Sequence, residues 1–172
     1  MATAALLCCA ASGCGDDGPA GLGPASLPNL FGDKLYRADG STVAVEVLDD
    51  AAVIGIYFAS RGCPACGGFT PLLVDVYNQL RESGRSFEVV LVSAGVSESF
   101  LLEYMVDSEM PWMAVPPLSK KANTLGQRYN IRWIPTLVII DGAANVISRT
   151  GREELVEKGV AAYDDWLAAA GS

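Results

Sequence analysis

Apolar residues along this chain fall in short runs that switch between two periods. Residues 53–59 (VIGIYFA) are apolar throughout, which predicts a central strand covered on both faces. Residues 87–93 and 136–140 predict two more core strands, and Asp141-Gly142 predicts a turn into an antiparallel partner at 145–149. Upstream, residues 33–37 and 42–47 flank Asp39-Gly40 as a hairpin. Between the strands the spacing lengthens to that of helices. One helix starts with Cys63 at its cap and Pro64 at its first position, where proline's missing N–H costs nothing and its φ is already helical. It should run to about Glu82 with a kink at Pro71. Residues 97–107 place Phe100, Leu101, Tyr104 and Met105 on one helical face. Met110-Pro111-Trp112 and Pro116-Pro117 bracket a loop, residues 120–129 supply a short helix, and residues 153–170 a last one with acidic residues in its first turn. The order β-α-β-α-β-β-α predicts an α/β sandwich, a central mixed β-sheet with helices on both faces.

Composition bounds what this fold does. A chain of 172 residues, 51% hydrophobic and 19% charged, supports one domain with a real core. Residues 1–28 are rich in Ala, Gly and Pro and poor in large apolar side chains, so a disordered or targeting segment is expected there, with the folded domain at 29–172. The short apolar stretch 1–11 has no Lys or Arg before it and makes a poor secretory signal, and Ala11-Ser12-Gly13-Cys14 faintly matches a lipoprotein cleavage box, although Ala11 stands where a branched aliphatic residue is expected. The net charge of −8 argues against nucleic acid as a partner. No apolar run reaches the roughly 18 to 20 residues of a membrane helix. Histidine is absent, which removes Cys-His and Ser-His nucleophile systems and His-ligated zinc.

The cysteines are uneven: Cys8, Cys9 and Cys14 in the terminal segment, Cys63 and Cys66 in the body. A disulfide-stapled scaffold would spread an even number along the chain. Cys63-Pro64-Ala65-Cys66 instead sets two thiols at i and i+3, about 5 to 6 Å apart on a helical turn, inside the roughly 4.4 to 6.8 Å Cα window of a disulfide. The pair can therefore close into a Cys63–Cys66 disulfide and reopen. A cysteine attacks as thiolate, and unpaired N–H groups at a helix start favour that anion. Cys63 is thus expected to attack and Cys66, one turn deeper, to resolve the mixed disulfide. Half of a zinc site completed by the terminal cysteines, or two structural thiols, are the alternatives. No metal and no cofactor is expected.

Ile134-Pro135-Thr136 is the second element. A proline before a strand is often a turn residue, but beside a CxxC helix it also fits a cis bond that presents backbone to a partner. Tyr57-Phe58-Ala59-Ser60, the CxxC segment, Gly68-Phe69-Thr70-Pro71-Leu72-Leu73, residues 110–116 and residues 134–141 together resemble the nucleoredoxin and tryparedoxin branch of the thioredoxin-like superfamily, over residues 30–152. The resemblance implies a thioredoxin fold and thiol-disulfide oxidoreductase activity, with Cys63 as nucleophile, Cys66 as resolving thiol and Pro135 as the cis-proline facing them. Pro64 and Ala65 would support the pair. Gly62, Trp112 and Ile134 would contact a bound partner, although Trp112 reads equally as a core-filling aromatic. The family usually carries Trp before the first cysteine, Pro-Pro between the two and Arg after the second. Here Gly62, Pro64-Ala65 and Gly67 stand in those places, and Tyr57 stands where ordinary thioredoxins carry a buried Asp.

The expected function is reduction of disulfide-containing proteins through a Cys63/Cys66 dithiol-disulfide cycle, fed by a dithiol donor or reductase. A disulfide oxidase or isomerase, or a redox-sensitive partner-binding module with little turnover, are the alternatives. A monomer in the cytoplasm is expected, because three further thiols would be a liability in an oxidising space; an organellar or lipid-anchored location through the terminal segment is the other possibility.

Overall fold

Alternate residues of the central strands feed two separate cores, one on each face of a single sheet. In the computed structural model, which describes residues 26–171, seven strands run in the order β2-β1-β5-β4-β3-β6-β7. They are β1 (Lys34–Tyr36), β2 (Thr42–Ala44), β3 (Val53–Phe58), β4 (Phe87–Val92), β5 (Met113–Ala114), β6 (Thr136–Asp141) and β7 (Val146–Ser148). β3 pairs parallel with β4 and antiparallel with β6, so the sheet is mixed. Every residue of β3 is buried, as an uninterrupted apolar run requires. Val53 and Tyr57 join Phe87, Val89, Leu91, Leu137 and Ile139 in one core, while Ile54, Ile56 and Phe58 join Val90, Val92, Val138 and Ile140 in the other. The first core is capped by α2 (Pro64–Glu82), α3 (Glu98–Asp107), α5 (Gly151–Lys158) and α6 (Ala162–Ala170), the second by α1 (Leu27–Phe31) and α4 (Lys120–Arg128).

Several boundaries differ from those read in the sequence. Structure is already present ahead of residue 29: Ser26 accepts a bond from the Asn29 N–H, and Leu27, Leu30 and Phe31 are buried. The remainder of the 1–28 segment, including Cys8, Cys9, Cys14 and the lipoprotein-like box, lies outside the described residues. The second hairpin strand stops at Ala44 and turns into a 3-10 helix, Val45–Leu48, because Val45 and Leu48 both bury toward the same core. Residues 113–114, expected in a loop, form β5 and bridge β4 to β1. The closing helix is two helices. Gly159, at φ +55, breaks it, so Leu155 packs under α5 while Tyr163 and Trp166 turn onto Phe87. α5 starts hard against β6: a Cβ on Gly151 would lie 2.7 Å from Ile139 Cγ1. Through Pro71, by contrast, α2 continues as one helix.

The register of the sheet positions the thiols. Phe58 pairs with Thr136, so the end of β3, which leads into α2, lies beside the start of β6 and the Ile134-Pro135 peptide. Among the described residues no helix is long and apolar enough to cross a membrane.

Candidate active site: a thiol pair at a helix start

Cys63 caps α2 with extended backbone, φ −98 and ψ 110, and Pro64 follows in the first turn. This turns the Cys63 sulfur back over the exposed helix end, where its Sγ accepts the Cys66 N–H at 3.2 Å. The amide that reaches the sulfur is thus that of Cys66. On its other side the Cys63 thiol donates to the Ile134 carbonyl at 3.6 Å. The Ile134–Pro135 bond is cis. Cys63 is half-buried while Cys66 is fully buried, and both are free thiols. The two sulfurs are therefore unequal: one meets a partner, the other waits beneath it.

Burial pushes the Cys66 thiol up to about 12, and the bond and charge of Cys63 add to the push; a Ser60 backbone contact and the Arg152 charge oppose it. The sign follows directly. A folded value above the unfolded 9.0 means that the neutral thiol favours the folded state below pH 9, and that this contribution drains away between pH 9 and about 12. Unfolding of the reduced protein, followed by circular dichroism, should show its midpoint falling across that interval more steeply than in Cys66→Ser. Parallel pH profiles would remove Cys66 as the cause.

Behind Cys66 lies a set of buried hydroxyls. Thr70 Oγ1 donates to the Cys66 carbonyl at 2.8 Å and lies 2.8 Å from Tyr57 Oη and 3.4 Å from Tyr104 Oη. Burial raises the pKa of both tyrosines, so their phenols stay neutral and support the chain from which the resolving sulfur hangs. The sequence marked Tyr57 but not Thr70 or Tyr104. A threonine four residues after the second cysteine, back-bonded to the helix, was the available signal.

Gly62, Pro64, Ala65 and Ile134 are exposed around the Cys63 sulfur, and Pro135 is buried below. At Gly62 a Cβ would meet nothing within 4 Å, so the tryptophan usual in the family leaves open space here. The preceding Arg61 is tied instead to α3: it bonds Glu103 at 2.7 Å, pairs also with Asp107, and lies over the Phe100 ring. The cation missing after the second cysteine is likewise supplied from elsewhere, by Arg152 at the start of α5, whose charge acts on Cys66 and whose guanidinium covers Phe69.

Trp112 is corrected. It is 1% exposed and packs edge-on against Tyr57 and Tyr77, with ring centroids at 6.3 and 5.6 Å, so it fills the core rather than standing on the surface. The exposed aromatic is Trp133, 72% accessible and next to Ile134. Its signal was a large apolar residue directly ahead of the Ile-Pro pair, in a loop with no core to fill.

Comparison with known proteins supports this geometry. Residues 50–146 match the thioredoxin-like family. Nucleoredoxin from Bos taurus is 37% identical over 145 residues, 81% of this chain and 33% of that protein, so the chain spans about a third of the nucleoredoxins it matches. Native tryparedoxin I from Crithidia fasciculata superposes with a TM-score of 0.66 at 35% identity, covering 74% of this chain and 87% of that one. Thioredoxin related protein 16 from Carcinoscorpius rotundicauda gives a TM-score of 0.70 at 37% identity, covering 80% and 97%.

Proposed function

Because this chain belongs to the thioredoxin-like family and carries the thiol pair of a thiol-disulfide oxidoreductase, we propose that it reduces disulfide bonds in proteins. The observation that carries this is the asymmetry of the pair: a half-buried Cys63 sulfur on a helix start, held 3.2 Å from the Cys66 amide, above a fully buried Cys66.

The Cys63 thiolate attacks one sulfur of the partner disulfide. A Cys63–partner S–S bond forms, the partner's own S–S bond breaks, and its second sulfur leaves as thiolate and takes a proton from solvent. Once Cys63 is bonded to the partner, its charge no longer raises Cys66; burial then stands against Arg152 and the Ser60 backbone contact. Cys66 thereby loses its proton more readily at the moment its sulfur is needed. It attacks Cys63 Sγ, the mixed disulfide breaks, and the partner leaves as a dithiol while Cys63–Cys66 closes. Two electrons have moved from the pair to the partner. A dithiol donor reopens the bond by the reverse exchange.

The cis Ile134–Pro135 peptide, flanked by exposed Trp133 and Ile134, offers the partner an apolar contact beside the sulfur. Insulin reduction with dithiothreitol as donor tests the proposal. Cys63→Ser should fall to the uncatalysed rate, a loss of at least about a hundredfold. Wild type no faster than Cys63→Ser would leave a redox-sensitive binding module in place of an enzyme.

A further inference from the structure

Next to the thiol site, on the face of the sheet opposite α2, lies an open cleft of about 730 Å³. Arg128, Arg132 and Arg149 line it, with Tyr129, Trp133 and Thr136 among the other walls, and no Asp or Glu does. That is unusual ground in a chain where acidic residues outnumber basic ones 20 to 12. Resting on the reductase reading above, we infer that this cleft is a specificity subsite for a carboxylate that the disulfide partner carries close to its cystine.

Position makes the first argument. Trp133 is a wall of the cleft, and the carbonyl of the next residue, Ile134, lies 3.6 Å from Cys63 Sγ. One residue spans about 3.8 Å between Cα atoms, so a partner chain bonded to Cys63 and crossing the cis peptide reaches the cleft within two or three residues. The exposed Trp133 ring is the surface over which it passes.

Chemistry makes the second. Arg149 is set in advance: its guanidinium donates to the Tyr129 carbonyl at 3.3 Å and lies over the Tyr129 ring at 5.9 Å. The Tyr129 ring is buried, only 5% exposed, and its hydroxyl lies within reach of the Arg128 side chain. Burial raises this phenol, with the Arg128 and Arg149 charges and an Arg128 hydrogen bond opposing, so it stays neutral and leaves the guanidinium charges uncompensated. Guanidinium forks take carboxylates in bidentate geometry, which a lysine cannot reproduce. At physiological salt, charges beyond about 8 Å are largely screened, so these arginines govern a docked acidic side chain although the molecule as a whole is acidic.

Three disulfide-bonded peptides, identical except for Glu, Gln or Lys two residues from each cysteine, test this with the full chain and dithiothreitol. Wild type should reduce the Glu peptide with kcat/KM about tenfold above the Gln peptide, chiefly through KM, and the gap should narrow in 0.5 M salt. Arg132→Glu should erase the preference. Arg128→Gln should weaken it. Lys34→Glu, an exposed residue on β1 that changes net charge by the same amount three strands from β3, should keep it. Equal rates on Glu and Gln peptides, a higher rate on the Lys peptide, or an equal loss in Lys34→Glu would overturn the subsite. A wild type that reduces none of the three would overturn the reductase reading with it.

Discussion

Cys66→Ser turns catalysis into capture. The variant keeps Cys63, its place on the helix start and its contact with the Ile134 carbonyl, so partner disulfides still open and bond to it. What is lost is the second displacement, because a serine hydroxyl does not attack a disulfide at neutral pH. Steady-state reduction should fall about a thousandfold, while one equivalent of partner accumulates covalently. Intact mass spectrometry of the non-reduced protein reads the adduct, and dithiothreitol should release it. Serine suits the site, since it replaces a fully buried sulfur with a group of nearly the same size. Turnover at the wild-type rate would mean that one thiol suffices, and the two-cysteine cycle would be wrong.

The two tryptophans should respond in opposite ways. Trp112→Ala removes a 1% exposed ring that contacts Tyr57 and Tyr77, and large-to-small changes of this kind cost about 3 to 5 kcal/mol. For a domain whose whole stability is about 5 to 15 kcal/mol, that is a large fraction, visible as an early urea midpoint. Trp133→Ala removes a ring that is 72% exposed and should leave the midpoint within about 0.5 kcal/mol. Its effect belongs on KM for protein partners, raised several-fold with kcat little changed. A stable Trp112→Ala with weakened partner binding would restore Trp112 to the contact surface and undo the correction.

That exchange of roles shows where reading along the chain stops. Trp112 and Trp133 each sit beside a proline-containing loop, and no local pattern says which ring points inward. The answer lies in β5: Ala114 bridges to both Tyr36 and Leu91, and this two-residue strand draws Trp112 beneath α2. A strand so short leaves no period to detect. The break at Gly159 is similar in kind, since a lone glycine within a helical run does not by itself end the helix and only the backbone at φ +55 shows that this one does. At the other end, Leu27 and Leu30 belong to the second core through α1, although a segment dominated by Ala, Gly and Pro hides them.

Local rules carry over into three dimensions wherever one residue's covalent nature decides the outcome. The run 53–58 is buried because it has no polar face to turn outward; α2 begins where it does because Pro64 suits a first turn, where its missing N–H costs nothing; two cysteines three apart share a turn once that helix forms. The thiol pair and the alternation of strands and helices were therefore written in the amino acids themselves. Other features needed residues far apart in sequence to meet. Burial of Cys66 under Tyr57, Thr70 and Tyr104, the Arg152 charge arriving from α5, the inward turn of Trp112 and the gathering of Arg128, Arg132 and Arg149 beside Trp133 all depend on sheet register and helix packing. Dielectric surroundings and charge neighbours are properties of position in space, and only the folded chain assigns positions.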